Sequence, residues 1–113
     1  MRLTPEQFAQ LQARRNAAPV EREADLHAQI LDYCHRQEPQ WVAIHSRMDA
    51  ATTTDRGVPD FVILAPGRVL LVECKRKGGK LSIHQQAWHK RAEAVGHRVV
   101  TVTSLLEFKE ETR

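Results

Sequence analysis

Two cysteines, Cys34 and Cys74, are all that the 113 residues carry, and they form no CxxC pair. That excludes a disulfide framework, argues against a structural zinc site and makes a reducing cytoplasm the expected compartment. No apolar run approaches the roughly 18 residues a membrane span needs, so no membrane partner is expected. The first residues, MRLTPEQ, lack the apolar core of a secretion signal. Internal repeats, low-complexity tracts and convincing linkers are absent too. What is there is ordinary: 42% hydrophobic and 27% charged residues, a composition that excludes wholesale disorder. A chain of this length can bury roughly two-thirds of its unfolded surface, enough for one core without staples.

Periodicity and punctuation divide the chain into eight elements. Residues 3–17 read as a short helix, with Thr4 as N-cap, Pro5 at the first helical position and Gln7 closing a capping box. Phe8 and Leu11 give it a thin apolar stripe. A stronger helix is expected from Val20 to about Gln37, with Leu26, Ile30, Leu31 and Cys34 at helical spacing and Pro39 beyond it. Residues 41–45 (WVAIH) read as a strand and 46–58 as a polar loop. The runs 60–65 (DFVILA) and 68–75 (RVLLVECK), split by Pro66-Gly67, read as strands buried on both faces. Ser82 caps a helix from Ile83 to about Val95, whose inner side takes Ala87, Trp88 and Val95, and Gly96 ends it. Residues 98–103 form a β-branched strand, Ser104 caps a short helix through Phe108, and residues 107–113 are expected to fray. The order α, α, β, β, β, α, β, α defines one α/β domain.

Net charge is only +3, but its distribution is uneven. Between Lys75 and Arg98 stand seven basic residues against one acid, Glu93, whereas the first 40 residues hold five basic and six acidic ones. One stretch of chain can therefore meet phosphates.

The sharpest inference comes from the hairpin. A turn centred on Pro66-Gly67 sets Ala65 opposite Arg68, Ile63 opposite Leu70 and Asp60 opposite Glu73, with opposed Cβ atoms about 5 Å apart on one face of the sheet, while a longer loop would shift the register by one residue and still keep the two acids close. Lys75 points to that face and Cys74 to the other. Two carboxylates on an otherwise apolar strand pair repel, so one must keep its proton, gain a cation or bind a metal. Close hard-oxygen ligands suit Mg²⁺ or Mn²⁺. A metal-activated water beside Lys75, next to a basic segment, points to phosphodiester hydrolysis.

Pro59-Asp60, then Glu73-Cys74-Lys75 thirteen residues further on, resembles the PD-(D/E)XK nuclease superfamily. More closely, Gly57-Val58-Pro59-Asp60-Phe61, Val72-Glu73-Cys74-Lys75, Gly79-Lys80-Leu81-Ser82 and Gln85 resemble the small VRR-NUC family, over about residues 20–105. The resemblance implies a restriction-endonuclease-like α/β core, a mixed central sheet flanked by helices, spanning 20–113 behind an N-terminal helical extension, 1–19. It implies a Mg²⁺- or Mn²⁺-dependent DNA endonuclease. Stand-alone members of this size, common in phages and bacteria, resemble homodimeric resolvases of four-way (Holliday) junctions; larger members cut flaps. Carried over, Asp60, Glu73 and the backbone carbonyl of Cys74 are metal ligands, and Lys75 orients or activates the attacking water. A helix glutamate joins them: Glu23 matches the spacing best, four residues before His27, with Glu21 the competitor. Gln85 reaches the same site or the scissile phosphate. Arg56, Arg76, Lys77, Lys80, His84 and Lys90 are the expected DNA contacts.

Among other residues, Thr52, Thr53, Thr54 and Arg56 lie where a loop could touch a DNA backbone or branch point. The six histidines match no HExxH or Cys/His spacing, which argues against zinc, and His84 and His89 are expected on a solvated helix face. Trp41 and Trp88 read as core or interface residues, and Cys74 as a small buried apolar side chain. Symmetric cutting of a junction requires two sites related by a two-fold axis, hence a homodimer, with the Phe8–Leu11 stripe as a candidate interface.

Overall fold

A computed structural model describes residues 2–46 and 56–113. Among them lie helices α1 (Pro5–Ala17), α2 (Glu23–His35), α3 (Ile83–Ala94) and α4 (Leu105–Glu111), and strands β1 (Val42–His45), β2 (Phe61–Ala65), β3 (Arg68–Cys74) and β4 (Val99–Val102). The strands form one mixed sheet in the order β1-β2-β3-β4. Its first two pairings are antiparallel, and β3–β4 is parallel, with α3 as the crossover. Thr52, Thr53 and Thr54 lie outside the described residues. Among the described residues no helix is long and apolar enough to cross a membrane.

The β2–β3 register is the one the Pro66-Gly67 turn predicts: Ala65 pairs with Arg68, Ile63 with Leu70 and Phe61 with Val72. Gly67 takes φ +71°, a conformation open to glycine at little steric cost. One face of the sheet carries Phe61, Ile63, Val72, Cys74, Val100 and Val102, which pack against Leu26, Ile30 and Cys34 of α2 and Leu105 and Phe108 of α4. The other face is covered only in part. Val42, Ile44, Leu64 and Val69 are 43–60% exposed, so β2 and β3 are buried on both faces only near the Phe61 and Cys74 ends. The reason is that α3 packs against β4, at one side of the sheet, and leaves β1 and β2 uncovered.

Three local expectations need correction. α2 starts at Glu23, not Val20, because Val20 is committed to the sheet ends: its N–H donates to Thr103 O and its carbonyl accepts from Lys77 N–H. The buried residues of α3 are His89 and Ala92, while Ala87 and Val95 are exposed and Trp88 is half-buried. A helix packed mainly on the edge strand β4 buries only a narrow line. Residues 107–113 do not fray: α4 runs to Glu111, Phe108 is fully buried, Thr112 Oγ1 donates to Phe108 O, and the Arg68 guanidinium donates to the carbonyls of Thr112 and Arg113. The N-terminal expectation holds. Thr4 and Gln7 form the capping box of α1, which lies against α4 and buries no residue of its own.

Candidate active site

Three chain segments converge where β2 begins and β3 ends. Ser46 N–H donates to Asp60 O and Ser46 Oγ to Pro59 O, fixing the Pro-Asp pair at the mouth of β2. The Cys74 N–H donates to Asp60 Oδ2 at 2.7 Å, which turns the Asp60 carboxylate onto the end of β3. Glu73, one residue earlier, is 1% exposed. Lys75 continues the strand, its N–H donating to Val102 O, and its side chain is also buried. Lys75 Nζ lies 3.9 Å from Glu73 Oε1 and 3.8 Å from Glu23 Oε1. Glu23 reaches it because the Val20 backbone pairings bring the first turn of α2 to this end of the sheet.

Gln85 closes the cluster from α3. Its Oε1 accepts from Ser82 N–H at 2.8 Å, completing the helix cap, while its Nε2 donates to Glu73 Oε1 at 2.8 Å. One amide thus ends a helix and holds a carboxylate. Gly57 makes the approach of α3 feasible: at φ +85° it sits so close to the His84 carbonyl and the Gln85 N–H that any Cβ would collide.

The electrostatics separate the two acids. Burial, then the Asp60 charge, pushes Glu73 up to about 8 against the opposing pull of Lys75. Burial would raise Asp60 as well, but the neighbouring His27 and the hydrogen bond from the Cys74 N–H outweigh it and leave its pKa lowered. Glu73 Oε2 is buried with no hydrogen-bond partner. Two acceptors can meet only through a shared proton or a cation. A divalent cation held by Asp60, Glu73 and the Cys74 carbonyl, with Glu23 nearby, would satisfy that oxygen and remove the repulsion. The donors are hard oxygens, so the residues present fit such an ion.

Asp60, Glu73, Lys75, Glu23 and Gln85 are therefore together, and Glu21, exposed on the approach to α2, is not in contact with them. Arg56, Arg76, Lys77, Lys80, His84 and Lys90 are all exposed. His89 is not: it is buried against β4, its Nε2 unpartnered and its pKa lowered by burial. One neighbour went unread in the sequence. His27 Nε2 lies 3.6 Å from Asp60 Oδ2, and the His27 ring meets His45 edge-on at 4.6 Å, with His45 stacked on Phe61. The signal was present, since His27 stands one helical turn after Glu23 and so shares its face. A cleft of about 880 Å³ between α1, α2 and α4 is bordered by Glu21 but by none of Asp60, Glu73, Lys75, Glu23 and Gln85.

A mixed sheet flanked by helices, with acids and a lysine gathered where two adjacent strands meet, defines the restriction-endonuclease-like nuclease fold. Within it the chain belongs to the VRR-NUC family, whose domain matches residues 3–105. It is 42% identical over 50 residues to a protein of Acyrthosiphon pisum secondary endosymbiont phage 1 named "Putative nuclease p44". The matched stretch is 43% of this chain and 54% of that protein, so the match spans about half the relative's length. No solved structure matches the chain.

Proposed function

We propose that the protein is a Mg²⁺- or Mn²⁺-dependent DNA endonuclease selective for branched structures, acting as a homodimeric resolvase of four-way junctions. The observation that carries the reading is the convergence of Asp60, Glu73, Lys75, Glu23 and Gln85 at one end of the sheet, with Glu73 Oε2 buried and unpartnered. Asp60, Glu73, the Cys74 carbonyl and Glu23 hold the ion, which supplies Lewis-acid chemistry to the phosphodiester. Lys75, kept in reach by both glutamates, orients the attacking water and offsets charge on the phosphate. Gln85 locks Glu73 in one rotamer and faces the scissile group. Exposed Arg56, Arg76, Lys77, Lys80, His84 and Lys90 grip the DNA backbone around the site.

The homodimer is supported by two exposed apolar surfaces. One is the Val42, Ile44, Leu64 and Val69 patch of the sheet, on the face that also carries Glu73; the other is Phe8 and Leu11 along α1, with Leu3 just ahead of its cap. Incubating the protein with labelled four-way junction, flap, splayed-arm, linear duplex and single-stranded DNA, with Mg²⁺, Mn²⁺ or EDTA, tests the reading. Paired symmetric nicks on the junction, abolished by EDTA, are expected. Cutting confined to flaps or single strands would retain the nuclease and overturn the resolvase. Binding without cutting under either metal would overturn the enzyme.

A further inference from the structure

Asp60 stands between two chemistries. On one side is Glu73, with Lys75 and Gln85. On the other, under α2, His27 Nε2 lies 3.6 Å from Asp60 Oδ2, and the Cys74 side chain points the same way because it alternates with Glu73 and Lys75 along β3. One donor atom from each of His27, Asp60 and Cys74 falls within 4.8 Å of the other two. A tetrahedral zinc ion spaces its nitrogen, oxygen and sulfur ligands about 3.3–3.7 Å apart. The His27–Asp60 separation of 3.6 Å already meets that spacing, and the Cys74 Sγ lies within 4.8 Å of both partners. His27 Nε2 is buried with no hydrogen-bond partner, which leaves its lone pair or proton unsatisfied. Imidazole and thiolate are the ligands that separate zinc-like ions from magnesium.

We propose that His27, Asp60 and Cys74 form a second cation site, for a thiophilic divalent ion such as Zn²⁺, on the helix-covered side of the sheet. The site is assembled from α2, the mouth of β2 and the end of β3, so no linear Cys/His spacing reveals it. Binding forms a metal–sulfur bond as the Cys74 thiol loses its proton to solvent. Binding is therefore accompanied by proton release. The half-buried His27 and Asp60 side chains, 20% and 16% exposed, provide the way in. The regulatory consequence rests on the nuclease reading: an ion held here engages the carboxylate that the catalytic ion also needs, so Zn²⁺ inhibits cleavage.

Titration of the full chain with Co²⁺, followed by absorption, tests the site without reference to activity. The expected result is a thiolate-to-cobalt charge-transfer band saturating at one equivalent, unchanged in Cys34→Ser and absent in Cys74→Ala. His27→Ala should weaken the apparent affinity roughly tenfold or more. Far-UV circular dichroism of each variant establishes that it is folded, and the wild-type spectrum alone is decisive if a variant is not. No charge-transfer band in the wild type, or a band that survives Cys74→Ala, overturns the site. Mg²⁺-dependent DNA cleavage by the same preparation tests the nuclease reading separately, because it requires no sulfur ligand.

Discussion

Glu73 is the residue whose environment says most about the site. It is buried among apolar strands, bonded by Gln85, faced by Lys75 and still pushed up to about 8. An acid whose folded pKa lies above its unfolded value binds more protons in the folded state. Its contribution to metal-free stability is therefore fully present below the ordinary glutamate range and is lost as pH rises through about 8. Thermal melts between pH 5 and 9 in EDTA check this, and Glu73→Gln should flatten the profile and raise the alkaline melting temperature. Mg²⁺ or Mn²⁺ should raise wild-type stability at alkaline pH and leave that of Glu73→Gln nearly unchanged. Lys75→Ala should cut cleavage by about 10²–10⁴-fold while junction binding, measured by gel shift, persists. Asp60 and Glu73 were legible as a pair because a two-residue turn fixes the register of the strands around it. His27 was legible only as a residue on the Glu23 face of α2, because its partner Asp60 is reached only after α2 has packed across the sheet.

At the level of elements, the Gly57 contact couples the Pro-Asp loop to α3. Gly57→Ala is expected to push the first turn of α3 away, break the Gln85–Glu73 bond and lower both stability and cleavage. A melt and a cleavage assay on one variant check both. Ile30, fully buried in α2 against the sheet, should cost about 2–5 kcal/mol when replaced by alanine, read from denaturant unfolding. Element type was readable nearly throughout, from the Thr4 and Ser82 capping boxes to the β-branched β4. What periodicity could not supply was the partner of each face. α3 buries His89 and Ala92 because it packs chiefly on β4, and α4 continues to Glu111 because Phe108 enters the core and Arg68 clasps the chain end. Both outcomes are set by tertiary neighbours, which a window of sequence does not contain.

For the whole molecule, a radius of gyration of 15.4 Å exceeds the roughly 13 Å of a compact chain of this length, in keeping with α1, whose residues are all at least partly exposed. Sedimentation should give a homodimer for the wild type and a monomer for Phe8→Glu with Leu11→Glu or for Ile44→Glu with Leu64→Glu. A monomeric wild type would overturn the dimer. Replacing Arg76, Lys77 and Lys80 with alanine should lower the slope of log affinity against log salt by about 3, measured by fluorescence anisotropy. The central claim is that Asp60 and Glu73 hold the ion that cuts DNA. Cleavage of a labelled four-way junction in Mg²⁺ by wild type and Asp60→Asn tests it most directly. The wild type should nick the junction, and Asp60→Asn should bind it without cutting. Cutting by Asp60→Asn at the wild-type rate would contradict it.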